Sequence, residues 1–331
     1  MTRVRSPILG TDIAVDLGTA NTVVYVRGVG VVLDEPSVVA TSNRTGELIA
    51  VGNEAERMLG RTPPHLQTIR PLAEGVVADL QACETMLRAF IRRVSHKRWV
   101  KPRIVMCVPS GVTGVEQRAV MEVAEAAGAR KPVHIIEEPV AAAIGAGLPV
   151  HRPAGNMIVD IGGGTTEIAV VSLGGVVASR SAKVAGRAID QAIVTYIKTE
   201  HGITIGDRSA EQIKLRYGSA WPLKDEEHFD VGGSQLGTGL PIAASCSSAE
   251  LRDAIGGPLS EIADAVRVTL DETPPELVSE LMQDGIVVAG GGALLPGVAE
   301  RLSSEIDLPV FVADNPLHSV VIGAGRYLEG L

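Results

Sequence analysis

The sequence predicts an α/β protein built from two related domains, and three observations predict it. Residues 12–26, DIAVDLGTANTVVYV, and residues 157–171, MIVDIGGGTTEIAVV, repeat one design. Each is a short apolar run, an Asp, an apolar residue, a Gly, a small polar turn and a second apolar run, which reads as strand, tight turn, strand. Apolar runs at 104–108, 133–136, 286–289 and 309–312 alternate with helical stretches, the mark of an α/β sheet. The composition fits buried parallel strands under Ala-rich helices: 45% of the 331 residues are hydrophobic but only 3% are aromatic.

The first hairpin opens the chain's first half, and residues 34–70 read as an insertion after it. Residues 113–127 form a helix. Thr113 and Glu116 stand at capping-box spacing, Val115, Ala119, Val120, Val123 and Ala127 form the apolar face, and Gly128 ends it. Glu137 and Glu138 precede Pro139 and an Ala-rich helix at 140–146. The second hairpin opens the second half, residues 205–245 read as its smaller insertion, and residues 249–270 form another helical stretch with Leu251, Ile255, Leu259, Ile262, Val266 and Leu270 on one face.

Bulk properties exclude several classes. A net charge of −9 argues against a general nucleic-acid binder. Cys83, Cys107 and Cys246 lie far apart with no CxxC pair, against zinc or a redox dithiol and in keeping with a reducing compartment. No apolar run approaches the roughly 20 residues of a spanning helix. The start carries Arg3, Arg5, Ile8 and Leu9 but no signal-peptide stretch, so a cytoplasmic protein is expected, with at best a weak N-terminal anchor.

The hairpins suit a nucleotide's phosphate tail. Gly18 with Thr19, Ala20 and Asn21, and Gly162, Gly163 and Gly164 with Thr165, offer backbone amides and close approach. Asp16 and Asp160 end the preceding strands, placed to hold Mg²⁺ through its waters, because magnesium dehydrates reluctantly. Ordinary hairpin turns also favour Gly and Asn, but two copies at equivalent places favour the phosphate reading. The chain has neither a GxxxxGK[ST] loop nor a GxGxxG fingerprint. Gly290, Gly291, Gly292 and Ala293 follow an apolar run. They suit either approach to a ribose or flat ring, or a tight strand-to-helix turn. Glu138 is either a helix-start contact or a group that orients water against a γ-phosphate.

Taken in order, DLGTANT at 16–22, EPSVVA at 35–40, MLGRTP at 58–63, IRPLAEGVVAD at 69–79, IEEPVAAAIGAGLPV at 136–150, DIGGGTTE at 160–167 and GGGALL at 290–295 resemble the MreB/Mbl family of bacterial actin homologues. The resemblance runs from about residue 12 to 328. It implies an actin-like ATPase fold of duplicated ribonuclease H-like domains, with four subdomains around a nucleotide cleft. They are IA (1–33 and 71–146), IB (34–70), IIA (147–185 and 246–331) and IIB (186–245). It implies ATP and Mg²⁺ as cofactors, self-assembly into filaments under the cytoplasmic membrane, cell-wall synthesis and elongation proteins as partners, and slow ATP hydrolysis secondary to assembly. By it, Glu138 places the attacking water, and Glu211 and Lys214, in the AEQIK stretch, meet the ribose and adenine. Those two residues also fit an ordinary charged helix face. The glycines and Ala293 of 290–293 close over the adenosine.

Residues 92–103, RRVSHKRWVKPR, carry six Lys or Arg and no acid around Trp99 and Val100, a pattern suited to an anionic membrane surface. A basic helix end with Trp99 against the core is the alternative. The chain departs from the family at Arg187, where many relatives carry an acid, which puts the ribose-side contact in doubt. Residues 224–245 are less like the usual strand-rich segment. A filament scaffold with little hydrolysis and a chaperone-type ATPase are the competing functions, and the latter would need a long domain beyond residue 331. A sugar or acetate kinase would need a separate substrate pocket.

Overall fold

The computed structural model describes residues 12–95 and 100–331, which divide into two compact units: one up to Gly145 together with His318–Leu331, the other Ala146–Leu317. In the first unit β1 (Ile13–Leu17) and β2 (Asn21–Val26) form the expected hairpin, with β3 (Gly30–Pro36) antiparallel beside β2. Three further strands, β4 (Val39–Ser42), β5 (Leu48–Val51) and β6 (Leu66–Ile69), make a small sheet inside the 34–70 stretch, accompanied by the short helix α1 (Asn53–Glu56). A two-stranded ribbon follows, β7 (Leu72–Ala73) and β8 (Val76–Val77). Then come α2 (Leu80–Val94), β9 (Arg103–Val108), α3 (Gly114–Ala127), β10 (Arg130–Glu137) and α4 (Glu138–Gly145).

The main sheet runs β3-β2-β1-β9-β10, with β9 and β10 parallel to β1. Its inner strands are apolar on both faces. Ile13, Ala14, Val15, Ile104, Val105 and Met106 are fully buried, as parallel strands covered by helices must be. Met86, Leu87 and Phe90 of α2 and Val123 of α3 close one face. Helix ends follow local chemistry. The Asp79 carboxylate caps α2 by accepting from the Ala82 amide, Thr113 and Glu116 form the predicted capping box, and Gly128 ends α3 at φ +118°.

The second unit repeats the plan. Its strands β11 (Asn156–Ile161), β12 (Thr166–Ser172) and β13 (Gly175–Ala182) form an antiparallel meander, followed by α5 (Gly186–His201), β14 (Ile203–Thr204), α6 (Asp207–Tyr217), β15 (His228–Gln235) and β16 (Pro241–Ser247). After them come α7 (Ser248–Ala254), α8 (Gly256–Asp271), α9 (Pro275–Asp284), β17 (Ile286–Ala289), α10 (Val298–Ile306) and β18 (Val310–Val312). The sheet order β13-β12-β11-β17-β18, with β17 and β18 parallel to β11, matches the first unit strand for strand. The duplication read from the two hairpins is therefore a duplication of whole sheets.

Three expectations change. The 249–270 stretch is two helices, because Gly256, Gly257 and Pro258 interrupt it and Pro258 suits only a first helical turn. Residues 224–245 hold most of a regular hairpin, in which Phe229 faces Cys246 and Val231 faces Ala244, so the segment is strand-rich despite its divergent sequence. Finally, the sequence reading placed 246–331 together, but α11 (Ser319–Gly330) packs in the first unit. The reason is a backbone contact between helices. A Cβ on Gly323 would collide with the Ala141 carbonyl, and one on Gly145 with the Ser319 carbonyl, while Gly325 lies against the Tyr25 ring. Glycine lets α4 and α11 approach more closely than any side chain would allow.

That contact predicts that Gly323→Ala destabilises the protein by about 3 kcal/mol or more, the upper range for overpacking a core, seen as a lower midpoint in thermal or urea unfolding. A variant as stable as the parent would show that α4 and α11 are not in backbone contact.

Candidate functional site

Strands β1, β9 and β10 run parallel, so the turn after Leu17 and Glu138 at the start of α4 leave the same edge of the first sheet. In the second sheet β11, β17 and β18 do likewise, so the Gly162 turn and the Gly290 turn share an edge. In open α/β sheets ligands bind beyond the carboxyl ends of parallel strands. The candidate residues of each unit thus gather where such chemistry belongs.

The first turn is held from beneath. A side chain on Gly18 would come within 2.7 Å of the Asn21 carbonyl, so only glycine fits. The Ser37 hydroxyl donates to the Gly18 carbonyl (2.6 Å), and the Ser37 amide donates to the Ala20 carbonyl (2.8 Å). Ser37 Oγ also lies 2.9 Å from Thr22 Oγ1, and both residues are fully buried. Thr19 accepts from the Gly75 amide (3.0 Å). Asn21, exposed at the start of β2, donates through Nδ2 to Asp34 Oδ1 (2.7 Å). Ser37, Gly75 and Asp34 escaped the sequence reading. Ser37 lies in EPSVVA and Gly75 in IRPLAEGVVAD, and the one available signal is a lone serine ahead of the apolar residues of EPSVVA.

Asp16, facing Val23 across the hairpin, has its carboxyl pushed from an ordinary 3.8 up to about 7, first by burial and then by the negative charge of Asp34. A buried carboxylate beside a second acid is a group that a divalent cation would relieve. Within its own unit each of Asp16 and Asp160 sits near the end of its strand as a hard oxygen donor, the type that magnesium takes through water.

The second turn is held by a helix. Gly162 donates to the Thr165 carbonyl (3.0 Å), and the first amides of α5 take the turn's carbonyls, Gly186 to Gly162 (3.1 Å) and Arg187 to Gly163 (2.9 Å). These are among the amides a helix start leaves without partners inside the helix. Thr165 is buried, and Thr166 Oγ1 donates to the Val184 carbonyl (2.6 Å). Gly290, at φ +80°, and Gly292 press against the end of β11. A Cβ on Gly290 would strike Asp160 and the Ile161 carbonyl, and one on Gly292 would strike the Ile161 side chain. The structure therefore brings Asp160, the Gly162 turn and the 290–293 turn into one cluster.

Lys214 joins that cluster, though not as a free surface charge. Its ammonium pairs with Asp190 (2.8 Å) and donates to the Gly186 carbonyl (3.2 Å), with both side chains only 14% exposed. Burial raises the Asp190 carboxyl, Lys214 opposes the rise, and Glu211 and Asp207 add to it. Lys214 thus braces the helix start that holds the turn, and its partner Asp190 was not foreseen. Glu211 is half-buried one turn before Lys214. Arg187, the departure from the family pattern, contributes its amide.

In the basic segment Val100 is 41% exposed, whereas Trp99 lies outside the described residues. Cys83, Cys107 and Cys246 are buried and form no disulfide. Among the described residues no helix is long and apolar enough to cross a membrane.

The Asp16 shift carries a sign. A carboxyl raised in the folded state favours folding most below its unfolded value near 4, and that advantage is lost as pH rises to about 7. Asp16→Asn removes the penalty. The nucleotide-free variant should match the parent near pH 4 and exceed it in stability at pH 8, by at most about 4 kcal/mol. Parallel stability curves for the two proteins across that range would contradict the assignment.

The comparisons with known proteins agree with this fold. A model of the MreB/Mbl protein family matches residues 10–331. The chain is 47% identical over 328 residues to the cell shape-determining protein MreB of Escherichia coli strain K12, covering 97% of this chain and 94% of that one. It is 45% identical over 321 residues to the cell shape-determining protein Mbl of Bacillus subtilis, covering 97% and 96%. Crystal structures of MreB 5 of Spiroplasma citri, bound to AMPPNP and to ADP, align at TM-score 0.93 and 39% identity, with 98% of this chain covered and 97% and 98% of theirs. The fold is the actin-like one, and the chain belongs to the MreB/Mbl family.

Proposed function

We propose that this chain binds ATP on its two glycine turns and assembles with itself into filaments that serve cell-shape determination at the inner face of the cytoplasmic membrane. The observation that carries the reading is one device built twice: a strand-ending Asp followed by a glycine turn whose carbonyls are already taken. Its relatives support the rest, since they are named cell shape-determining proteins and one has been solved with AMPPNP and with ADP.

In this reading the amides of residues 18–21 and 163–165 orient phosphate oxygens. Asp16 and Asp160 hold the waters of Mg²⁺, which supplies neutralising charge to the phosphates. The 290–293 turn receives the adenosine, with Glu211 and Lys214 on the ribose side. Glu138 holds the attacking water. Phosphoryl transfer asks mainly for positioning and charge stabilisation, so a single carboxylate set by the start of α4 suffices for slow turnover. Phosphate occupancy then controls assembly, and hydrolysis is secondary to it. The four-subdomain division, with the small sheets as IB and IIB, belongs to the same reading. So do membrane contact through Trp99 and Val100 and partnership with cell-wall synthesis and elongation proteins.

ATP-dependent pelleting at high speed, with filaments in the electron microscope, is the expected result for purified protein. An absence of polymer in every nucleotide and lipid condition would sink the filament reading. Glu138→Ala should keep ATP affinity while phosphate release falls by about a hundredfold, the usual scale for losing a positioned acid or base. Unchanged release removes Glu138 from the mechanism. Trp99→Ala combined with Val100→Ala should lower co-sedimentation with anionic liposomes while ATP binding survives, and undiminished co-sedimentation refutes the membrane contact.

A further inference from the structure

Asn21 is the outward end of the first turn, and its side chain is committed before any ligand arrives. Its Nδ2 donates to Asp34 Oδ1 at 2.7 Å. The pair is diagonal across the β2–β3 ladder, where Asn21 faces Pro36 and Asp34 faces Val23. Such neighbours lie within reach of polar side chains. The other Asp34 oxygen, Oδ2, lies 3.1 Å from His318 Nε2. His318 closes the short 3₁₀ turn Pro316–His318 and immediately precedes α11, the helix anchored to α4 by its glycines. The chain of contacts therefore runs from a fixed helix start, through His318 and Asp34, to the phosphate turn.

Left alone, an asparagine beside a turn readily bonds to nearby backbone groups. Asn21 bonded in that way would occupy the amides offered to phosphate. We propose that Asp34 and His318 are positioning residues for the first phosphate turn, which hold the Asn21 side chain aside so that the turn's amides stay open to ATP. The proposal rests on the ATP-binding reading above. The simpler view is a partly exposed surface ion pair of little consequence. The two views separate because a surface pair affects folding stability alone, whereas a positioning pair affects ligand affinity.

The experiment measures the affinity of a fluorescent ATP analogue with Mg²⁺, alongside the unfolding midpoint of the nucleotide-free protein. His318→Ala should bind about three- to tenfold more weakly, the effect of one hydrogen bond, with its midpoint nearly unchanged. His318→Gln keeps a neutral donor and should bind within about twofold of the parent. In an Asp34→Ala background, whatever the affinity of that variant itself, adding His318→Ala should change binding by less than about twofold, because the link is already cut. Parental affinity in His318→Ala, no rescue by glutamine, or a full additional loss in the Asp34→Ala background would each overturn the proposal while leaving ATP binding intact. A parent that does not bind the analogue overturns both.

Discussion

A peptide amide can be offered to an anion only if the turn that carries it is rigid and its carbonyls already have partners. Otherwise the turn closes on itself, or its carbonyl oxygens face the anion and repel it. Both glycine turns meet this constraint. In the first, Ser37 takes the carbonyls of Gly18 and Ala20 with its hydroxyl and its amide. In the second, the opening amides of α5 take those of Gly162 and Gly163. The glycines are needed because the turn folds back on a carbonyl, and the surrounding elements are placed to supply the donors. The β3–β4 connection is there to deliver Ser37, and the β13–α5 connection to deliver a helix start.

The two sheets share one strand order, yet their turns are clamped by different chemistry. A hydroxyl donor is a single atom on a buried side chain, and it depends on Thr22 beside it. A helix start brings several amides together with a favourable dipole. It also needs bracing, which Lys214 provides by holding the Gly186 carbonyl while paired with Asp190. The low exposure of that pair makes it costly to break, since either partner left alone would be a buried charge. The two units thus share the sheet order and the turn but not the groups that hold the turn.

Legibility followed sequence distance. The hairpins were readable because strand, Asp, Gly turn and strand lie within fifteen consecutive residues. The cap at Thr113 and Glu116 was readable for the same reason, and Gly128 with it. What escaped depends on residues that meet only in the folded chain. Ser37 reads as a small polar residue until it is seen under Gly18, nineteen positions away. Asp190 reads as a helix acid until Lys214 arrives from α6. The placement of α11 depends on Gly145 meeting Gly323, a contact that no local pattern announces. The helix stretch at 249–270 failed differently. Its apolar period continues across the break at Ile255, so periodicity outweighed the glycines and proline that interrupt the backbone.

Arg187 shows why a departure from a family pattern has to be weighed by which atoms act. Its contribution to the second turn is a main-chain amide, which any residue other than proline supplies equally. The turn is therefore indifferent to the loss of an acid there.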